Sequence, residues 1–175
     1  LFAQGVDPQA RGLIPDGVGI FAYSSGLLGG GPTRYTHTAE LVDPNDIYRA
    51  VLQTNSTGDP RTFFYTTISA EMDDILFIND ITITQSQSNA GNQDSRPQAW
   101  AKNIVAVGGV RHENTLTKND DNWSFGGSTG PASDGRIKPD LAHFYDDTLA
   151  AATGGGYGNF SGTSNATPCT VGHFG

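Results

Sequence analysis

Two kinds of hydrophobic pattern alternate along the chain, one typical of strands and the other of helices. Residues 61–69 are β-branched and aromatic, residues 81–87 alternate apolar and polar positions, and residues 103–110 form a compact apolar run. These segments predict three strands, the last of them buried in a sheet. Between the first two, residues 70–79 place apolar side chains three and four positions apart, which predicts a helix capped by Ser69.

The rest of the chain predicts fewer regular elements. Residues 12–22 predict a strand near either end with a turn between them, and the glycine-rich residues 23–38 predict a loop. Asp43, followed by proline, predicts the start of a helix, because Asp caps helices and proline is tolerated at their first position. Residues 115–162 predict loops and short strands, and residues 163–175 predict the first turns of a helix.

The order of these elements predicts the fold class. Strand, helix, strand, helix and strand in succession are the pattern of an α/β fold with a parallel sheet. The 175 residues are enough for one ordinary domain, and neither a repeat nor a linker divides them. Because the chain lacks an initiator methionine and a basic leader, we interpret residues 1–175 as part of a single domain of a longer protein.

Composition and charge exclude several classes of function. Ten basic and 18 acidic residues give a net charge of −8, which argues against a nucleic-acid partner because nucleic acids are polyanions. Since no apolar run is long enough to cross a bilayer, no membrane partner is expected. The acids are 15 Asp and 3 Glu, and together with 23 glycines they indicate a loop-rich protein rather than a coiled coil. Cys169 is the single cysteine, which excludes an internal disulfide.

Two further patterns point to other chemistry but lack the context that this chemistry needs. Residues 17–22 (GVGIFA) match a dinucleotide-binding pattern, yet Pro15 precedes them and a glycine loop follows, where a strand and a helix are required. The four histidines show no zinc-site spacing. His143 precedes Asp146 and Asp147, so a calcium loop remains an alternative to an ordinary surface histidine there.

The segment GTSNATP at 162–168 carries the strongest candidate chemistry. A glycine turn leads into a helix with Ser164 at its start, and Pro168 falls in the first turns, where its missing N–H costs little. At this end of a helix the dipole is positive, so the serine exposes its hydroxyl there while its own backbone N–H points to where a tetrahedral oxyanion would form. The alternative, that Ser164 only caps the helix, does not require so long a motif.

Six segments of the chain resemble, in the right order, motifs of the subtilisin-like serine proteases (subtilases, peptidase S8). They are 5–10 (GVDPQA), 90–92 (AGN), 101–108 (AKNIVAVG), 123–126 (WSFG), 135–141 (GRIKPDL) and 162–168 (GTSNATP). The resemblance covers nearly the whole chain. It implies a three-layer α/β fold with a mostly parallel central sheet, of which this chain forms a part.

This resemblance implies a serine endopeptidase that hydrolyses peptide bonds through an acyl-enzyme. Ser164 takes the position of the nucleophile, and Asn92 takes that of the residue whose amide donates to the oxyanion. A polypeptide is then the substrate, the chemistry requires no cofactor, and the protein is expected to be secreted or extracytoplasmic. A structural calcium ion stays open by the same resemblance, with the Asp pairs at 120–121 and 146–147 as candidates.

Two groups of residues are expected to contact the substrate. By resemblance, one group lines the primary specificity pocket. The other lies at the end of the predicted strand 61–69 and offers a backbone edge to which a substrate strand adds. The first group is Asn89, Ala90 and Gly91, and the second is Thr67, Ile68 and Ser69.

The chain also departs from the family pattern. The catalytic Asp and His segments of the family would precede Gly5, so we expect both residues to come from chain outside these 175 residues, as the N-terminal part of the same domain. The 175 residues alone are expected to be inactive, because a serine without a base is a weak nucleophile. Cys169 replaces a histidine of the family, and Asn165 replaces a methionine. The alternative function is a catalytically inactive subtilisin-like scaffold that binds a peptide or protein partner.

Overall fold

A computed structural model describes residues 11–22, 32–123 and 125–175. Helices and short strands follow one another from residue 34 onward. In chain order the elements are helix α1 (Arg34–Val42), strand β1 (Leu52–Asn55), helix α2 (Thr67–Asn79), strand β2 (Thr82–Ser86), a 3-10 turn (Pro97–Trp100), strands β3 (Val105–Arg111), β4 (Asn122–Trp123), β5 (Leu141–Phe144), β6 (Thr148–Ala151) and β7 (Tyr157–Phe160), and helix α3 (Thr163–Gly172).

A mostly parallel sheet forms the centre of the molecule. Strands β1, β2, β3 and β5 lie side by side and run parallel, and β4 pairs antiparallel with the end of β3. Strands β6 and β7 form a separate antiparallel hairpin. The strands predicted at 81–87 and 103–110 are confirmed as β2 and β3, and the helix predicted from residue 163 is confirmed as α3. The predicted α/β class is therefore confirmed.

Two helices cover the sheet. Met72, Ile75 and Leu76 of α2 are buried against Ile83 of β2 and Ala106 of β3. Helix α3 packs across all four parallel strands. Its buried side chains are small, so the helix approaches the strands closely; they include Ala166, Thr167, Thr170 and Val171.

The strand predicted over 61–69 is wrong, because a capping box starts α2 inside this segment. The Thr66 side chain accepts a hydrogen bond from the Ile68 N–H at 3.2 Å, and Ser69 Oγ accepts one from the Thr66 N–H at 3.1 Å. These caps satisfy N–H groups that a helix start leaves free, and they outweigh the β propensity of the aromatic residues. The predicted helix over 70–79 therefore begins three residues earlier, at Thr67.

The helix predicted from Asp43 is also wrong, because Asp43 ends a helix instead of starting one. Helix α1 lies within residues that partly predicted a loop, and it is capped at its start by Thr33, whose hydroxyl accepts from the Thr36 N–H. The Asp43 side chain accepts from the Asn45 N–H at 2.8 Å, which is the bond of an Asx turn. The strands predicted within 12–22 are not formed. The part of the predicted loop at 23–31 lies outside the described residues.

Candidate active site

Ser164 lies in the first turn of α3, where the helix meets the carboxyl ends of two strands. Gly162 precedes the helix with a φ of 90°, and its N–H donates to the Tyr145 carbonyl, just after β5, at 2.6 Å. A Cβ at position 162 would lie 3.2 Å from Asn89 Nδ2. The positive φ therefore favours glycine at this turn, and an added Cβ would also crowd the Asn89 amide.

Ser164 is half-buried, and its backbone N–H belongs to the first turn of α3. Within the described residues this N–H has no hydrogen-bond acceptor. Free N–H groups at a helix start, together with the helix dipole, stabilise negative charge that lies close to them. The turn thus combines a hydroxyl with a ready hydrogen-bond donor.

Asn89 holds this turn to the end of β2. Its Oδ1 accepts hydrogen bonds from the Thr163 N–H at 2.9 Å and from the Thr163 hydroxyl at 3.0 Å. The Ser88 N–H donates to the same hydroxyl at 3.2 Å. The side-chain oxygen of Asn89 is thus committed to positioning the residue before Ser164.

Asn92 is exposed and presents a free amide donor. Its Oδ1 accepts from the Asp94 N–H at 2.8 Å, and its carbonyl accepts from the Thr129 N–H at 2.8 Å. Its Nδ2 makes no hydrogen bond among the described residues. Since Oδ1 is held, the two N–H groups of Nδ2 are the part of this side chain that is left for a ligand.

Ala90 and Gly91, which lie between Asn89 and Asn92, are held by the segment 126–129. The Gly91 N–H donates to the Gly126 carbonyl at 3.1 Å, and the Ala90 N–H donates to Ser128 Oγ at 3.0 Å. Gly91 has a φ of 68°, which favours glycine. Asn89, Ala90, Gly91 and Asn92 therefore form one braced loop next to the serine turn.

Ser56 is a residue of this site that the sequence patterns did not indicate. Its hydroxyl donates to the Ser164 carbonyl at 3.1 Å, which ties the end of β1 to α3. The polar composition of β1, LQTN at 52–55, gives no apolar strand signal. Only the pairing of this short strand with β2 reveals that Ser56 reaches the serine turn.

The structure does not bring Thr67, Ile68 and Ser69 to this site as an extended edge. All three lie in the first turn of α2, so they do not offer the extended backbone to which a substrate strand would add. The Ser69 side chain is fully buried, and its hydroxyl donates to the Pro97 carbonyl at 2.6 Å. The predicted strand edge here is wrong for the same reason as the predicted strand.

A buried His–Asp pair lies at the same edge of the sheet, beyond β3 and β5. His112 Nδ1 lies 2.8 Å from Asp146 Oδ1, and the carboxylate also accepts from the His112 and Glu113 N–H groups. Burial raises the pKa of Asp146, but these hydrogen bonds outweigh it and lower this pKa below its ordinary value. Asp146 is thus committed to joining two strand ends.

Three further groups line a cavity of about 560 Å³ beside α3. His143 Nε2 lies 3.3 Å from His173 Nε2, and burial lowers the pKa of His143, as do His173 and His112. Burial also raises the pKa of the Cys169 thiol, which keeps it protonated.

In the part of the chain that the structure describes, no three His, Cys, Asp or Glu side chains are grouped to hold a metal ion. None of the helices in the same residues reaches both the length and the hydropathy of a membrane span.

Several solved structures with a fold similar to that of this chain are proteases. The prenylagaramide maturation protease PagA has a TM-score of 0.58 and 20% identity, over 79% of this chain and 45% of that one. The self-cleaved protease domain of PatA has a TM-score of 0.59 and 20% identity, over 79% and 47%. Sphericase has a TM-score of 0.51 and 19% identity, over 69% and 39%. The chain thus spans less than half the length of each of these structures.

Sequence comparisons identify the family more directly. No curated protein sequence is significantly similar to this chain. The model of the subtilase family (peptidase S8), however, matches residues 3–174, nearly the entire chain. Together with the three-layer α/β fold, this match shows that the chain belongs to the subtilase family.

Proposed function

We propose that this chain carries the nucleophile and the oxyanion donors of a serine endopeptidase. Ser164 attacks the carbonyl of a peptide bond, and the oxyanion that forms is stabilised by the Ser164 N–H and by Asn92 Nδ2. The observation that supports this most is the free N–H at the first turn of α3, with the hydroxyl of the same residue only half-buried. A serine that only capped the helix would not need the bracing by Asn89 and Ser56.

The proposed reaction also needs a general base. A histidine must take the Ser164 proton during attack and return it to the leaving amine, and a carboxylate must orient that histidine. We assign both to chain outside these 175 residues, because among the described residues the histidine that pairs with a carboxylate is His112, which is buried against Asp146, while His143 lies against His173. The chemistry uses side chains and backbone groups of the protein and needs no cofactor. A polypeptide substrate and an extracytoplasmic location belong to the same proposal.

Active-site labelling tests this function directly. A fluorophosphonate probe reacts with an activated serine, so it is expected to label the full-length protein and to leave Ser164→Ala unlabelled. Ser161→Ala is the matched control, because Ser161 is an exposed serine just before the turn, and this variant should label like the unchanged protein. Equal labelling of both variants would contradict the assignment of Ser164. Peptide binding without any labelling would favour the inactive-scaffold alternative.

Asn92→Asp tests the oxyanion donor separately. This change keeps the oxygen that accepts from the Asp94 N–H and removes the two N–H donors. We expect kcat to fall by about 10² to 10³, the range established for the loss of such a donor in another protease of this family. The unfolding midpoint should change little. An unchanged kcat would exclude Asn92 from the site.

A further inference from the structure

Two segments of the chain start at the serine turn and run away from it together. Ser56, at the end of β1, donates to the Ser164 carbonyl at 3.1 Å. Asn89, after β2, accepts from the Thr163 N–H at 2.9 Å. The segments that follow β1 and β2 therefore border the same strip of surface next to Ser164.

These segments meet again at a backbone bridge. The Thr62 N–H donates to the Ser95 carbonyl at 2.7 Å, and the Ser95 N–H donates to the Thr62 carbonyl at 3.1 Å. Residues 56–62 and 88–95 thus enclose a strip that begins at Ser164 and ends at this bridge. A substrate side chain that entered this strip beside Ser164 would contact the groups along it.

Arg61 extends across this strip immediately before the bridge. Its Nε donates to Ser88 Oγ at 2.8 Å, which fixes the guanidinium beside the loop that holds Asn89. The terminal nitrogens Nη1 and Nη2 make no hydrogen bond or ion pair among the described residues. Arg61 is exposed, so these donors are open to a ligand.

The nearest carboxylate in the sequence does not neutralise Arg61. Asp59 is bound instead by the Arg34 guanidinium and by Gln98 Nε2. A guanidinium with its outer edge free binds a carboxylate through two parallel N–H···O bonds, and it is charged at every pH at which proteins fold. Asp94, the other carboxylate of the two bordering segments, makes no ion pair with Arg61 among the described residues, so the free edge of Arg61 is the cationic group of this strip.

We infer that Arg61 selects a substrate with an acidic side chain on the residue that donates the attacked carbonyl. This inference rests on the proposed function and names its substrate class. The carboxylate of Glu or Asp would bind Nη1 and Nη2, while Ser88 holds Nε. The side-chain amide of Gln has the same size as the Glu carboxylate, but its NH₂ group would face one of the guanidinium N–H groups. Two donors would then meet without an acceptor, so Gln binds less well than Glu.

A pair of peptides tests the selection on the full-length protein. The two peptides are identical except for Glu or Gln on the acyl side of the cleaved amide. We expect kcat/KM to be about tenfold higher for the Glu peptide than for the Gln peptide, because KM is lower. In Arg61→Gln the ratio of the two kcat/KM values should be near unity. Arg61→Lys keeps the charge and should retain part of the preference. Arg49→Gln makes the same change of charge at an exposed arginine elsewhere and should leave the ratio unchanged.

Binding to the Ser164→Ala form separates this inference from the proposed function. Fluorescence anisotropy of the two labelled peptides should show the same preference without catalysis. Equal binding of both peptides, or a preference that survives Arg61→Gln, would overturn the role of Arg61. If the probe labels Ser164 and no preference appears, the inference alone fails. If labelling fails and the Arg61-dependent preference appears, the selection stands and the proposed hydrolysis fails.

Discussion

At the residue scale, the strand that leads to the site buries polar side chains where sheets usually bury apolar ones. Gln85 and Gln87 have no exposed surface. Gln85 Nε2 donates to the Thr57 carbonyl at 2.9 Å, but its Oε1 has no partner, and neither amide atom of Gln87 has one. A buried amide without hydrogen bonds costs about 1 to 3 kcal/mol. The strand therefore carries a local destabilisation next to the serine turn.

Gln87→Met is expected to stabilise the protein. Methionine has a similar size and length without the unpaired amide, so the free energy of unfolding should rise by about 1 to 3 kcal/mol in urea denaturation. The matched control is Gln98→Met. Gln98 is also buried, but its amide donates to Asp59 and accepts from the Asp59 N–H, so this variant should lose stability. A loss of stability in Gln87→Met would show that its amide is satisfied.

At the element scale, single side chains join the ends of neighbouring elements. Asp146 binds the turn after β3 from its position after β5, and Asn89 binds α3 from the end of β2. Each bond fixes a strand end that parallel pairing alone leaves free. The loops at this edge of the sheet are thus positioned by side chains rather than by their own secondary structure.

The bonds of Asp146 predict how stability depends on pH. Because its pKa is lower in the folded protein than its ordinary value of about 3.9, its contribution is fully present above that value and is lost as pH falls through the folded pKa. Unfolding midpoints measured from pH 6 to pH 2 should fall less steeply in Asp146→Asn than in the unchanged protein. Asp147→Asn, at the exposed neighbour, should keep the original slope. An identical slope in all three proteins would contradict this role of Asp146.

At the scale of the whole molecule, the outer edge of strand β1 pairs with no other strand among the described residues. Strand β1 pairs only with β2, so its outer edge has free backbone groups. Large apolar side chains are also exposed, with exposed fractions of 79% for Ile47 and Val51 and 83% for Phe77. Open strand edges and exposed apolar groups both favour association.

We therefore expect the 175-residue chain to associate with itself when it is produced alone. Sedimentation velocity should show species larger than a monomer at micromolar concentration, and the double change Val51→Lys and Phe77→Lys should shift them toward the monomer. Leu116→Lys is the control, because Leu116 is an isolated, fully exposed side chain in a loop, and this change should have little effect. A monomeric unchanged chain would contradict the expectation.

Local patterns determined those parts of the protein whose signal lies within a few neighbouring residues. The apolar alternation at 81–87, the apolar run at 103–110 and the glycine-led start of α3 each predicted the element that the structure contains. The α/β class was predicted correctly, although two elements of the predicted alternation, the helix from Asp43 and the strand at 61–69, are not formed. The ordered motifs that end at Ser164 were enough for the family.

Tertiary structure alone decided how the site is held together. Asn89 and Thr163 lie 74 positions apart, and Ser56 and Ser164 lie 108 positions apart, so no local pattern contains either bond. The predicted start of α2 is wrong because two short caps outweigh an aromatic run. Periodicity and propensity report the preferences of neighbours in the sequence. Contacts between distant polar side chains depend instead on which strand ends the folded sheet brings together.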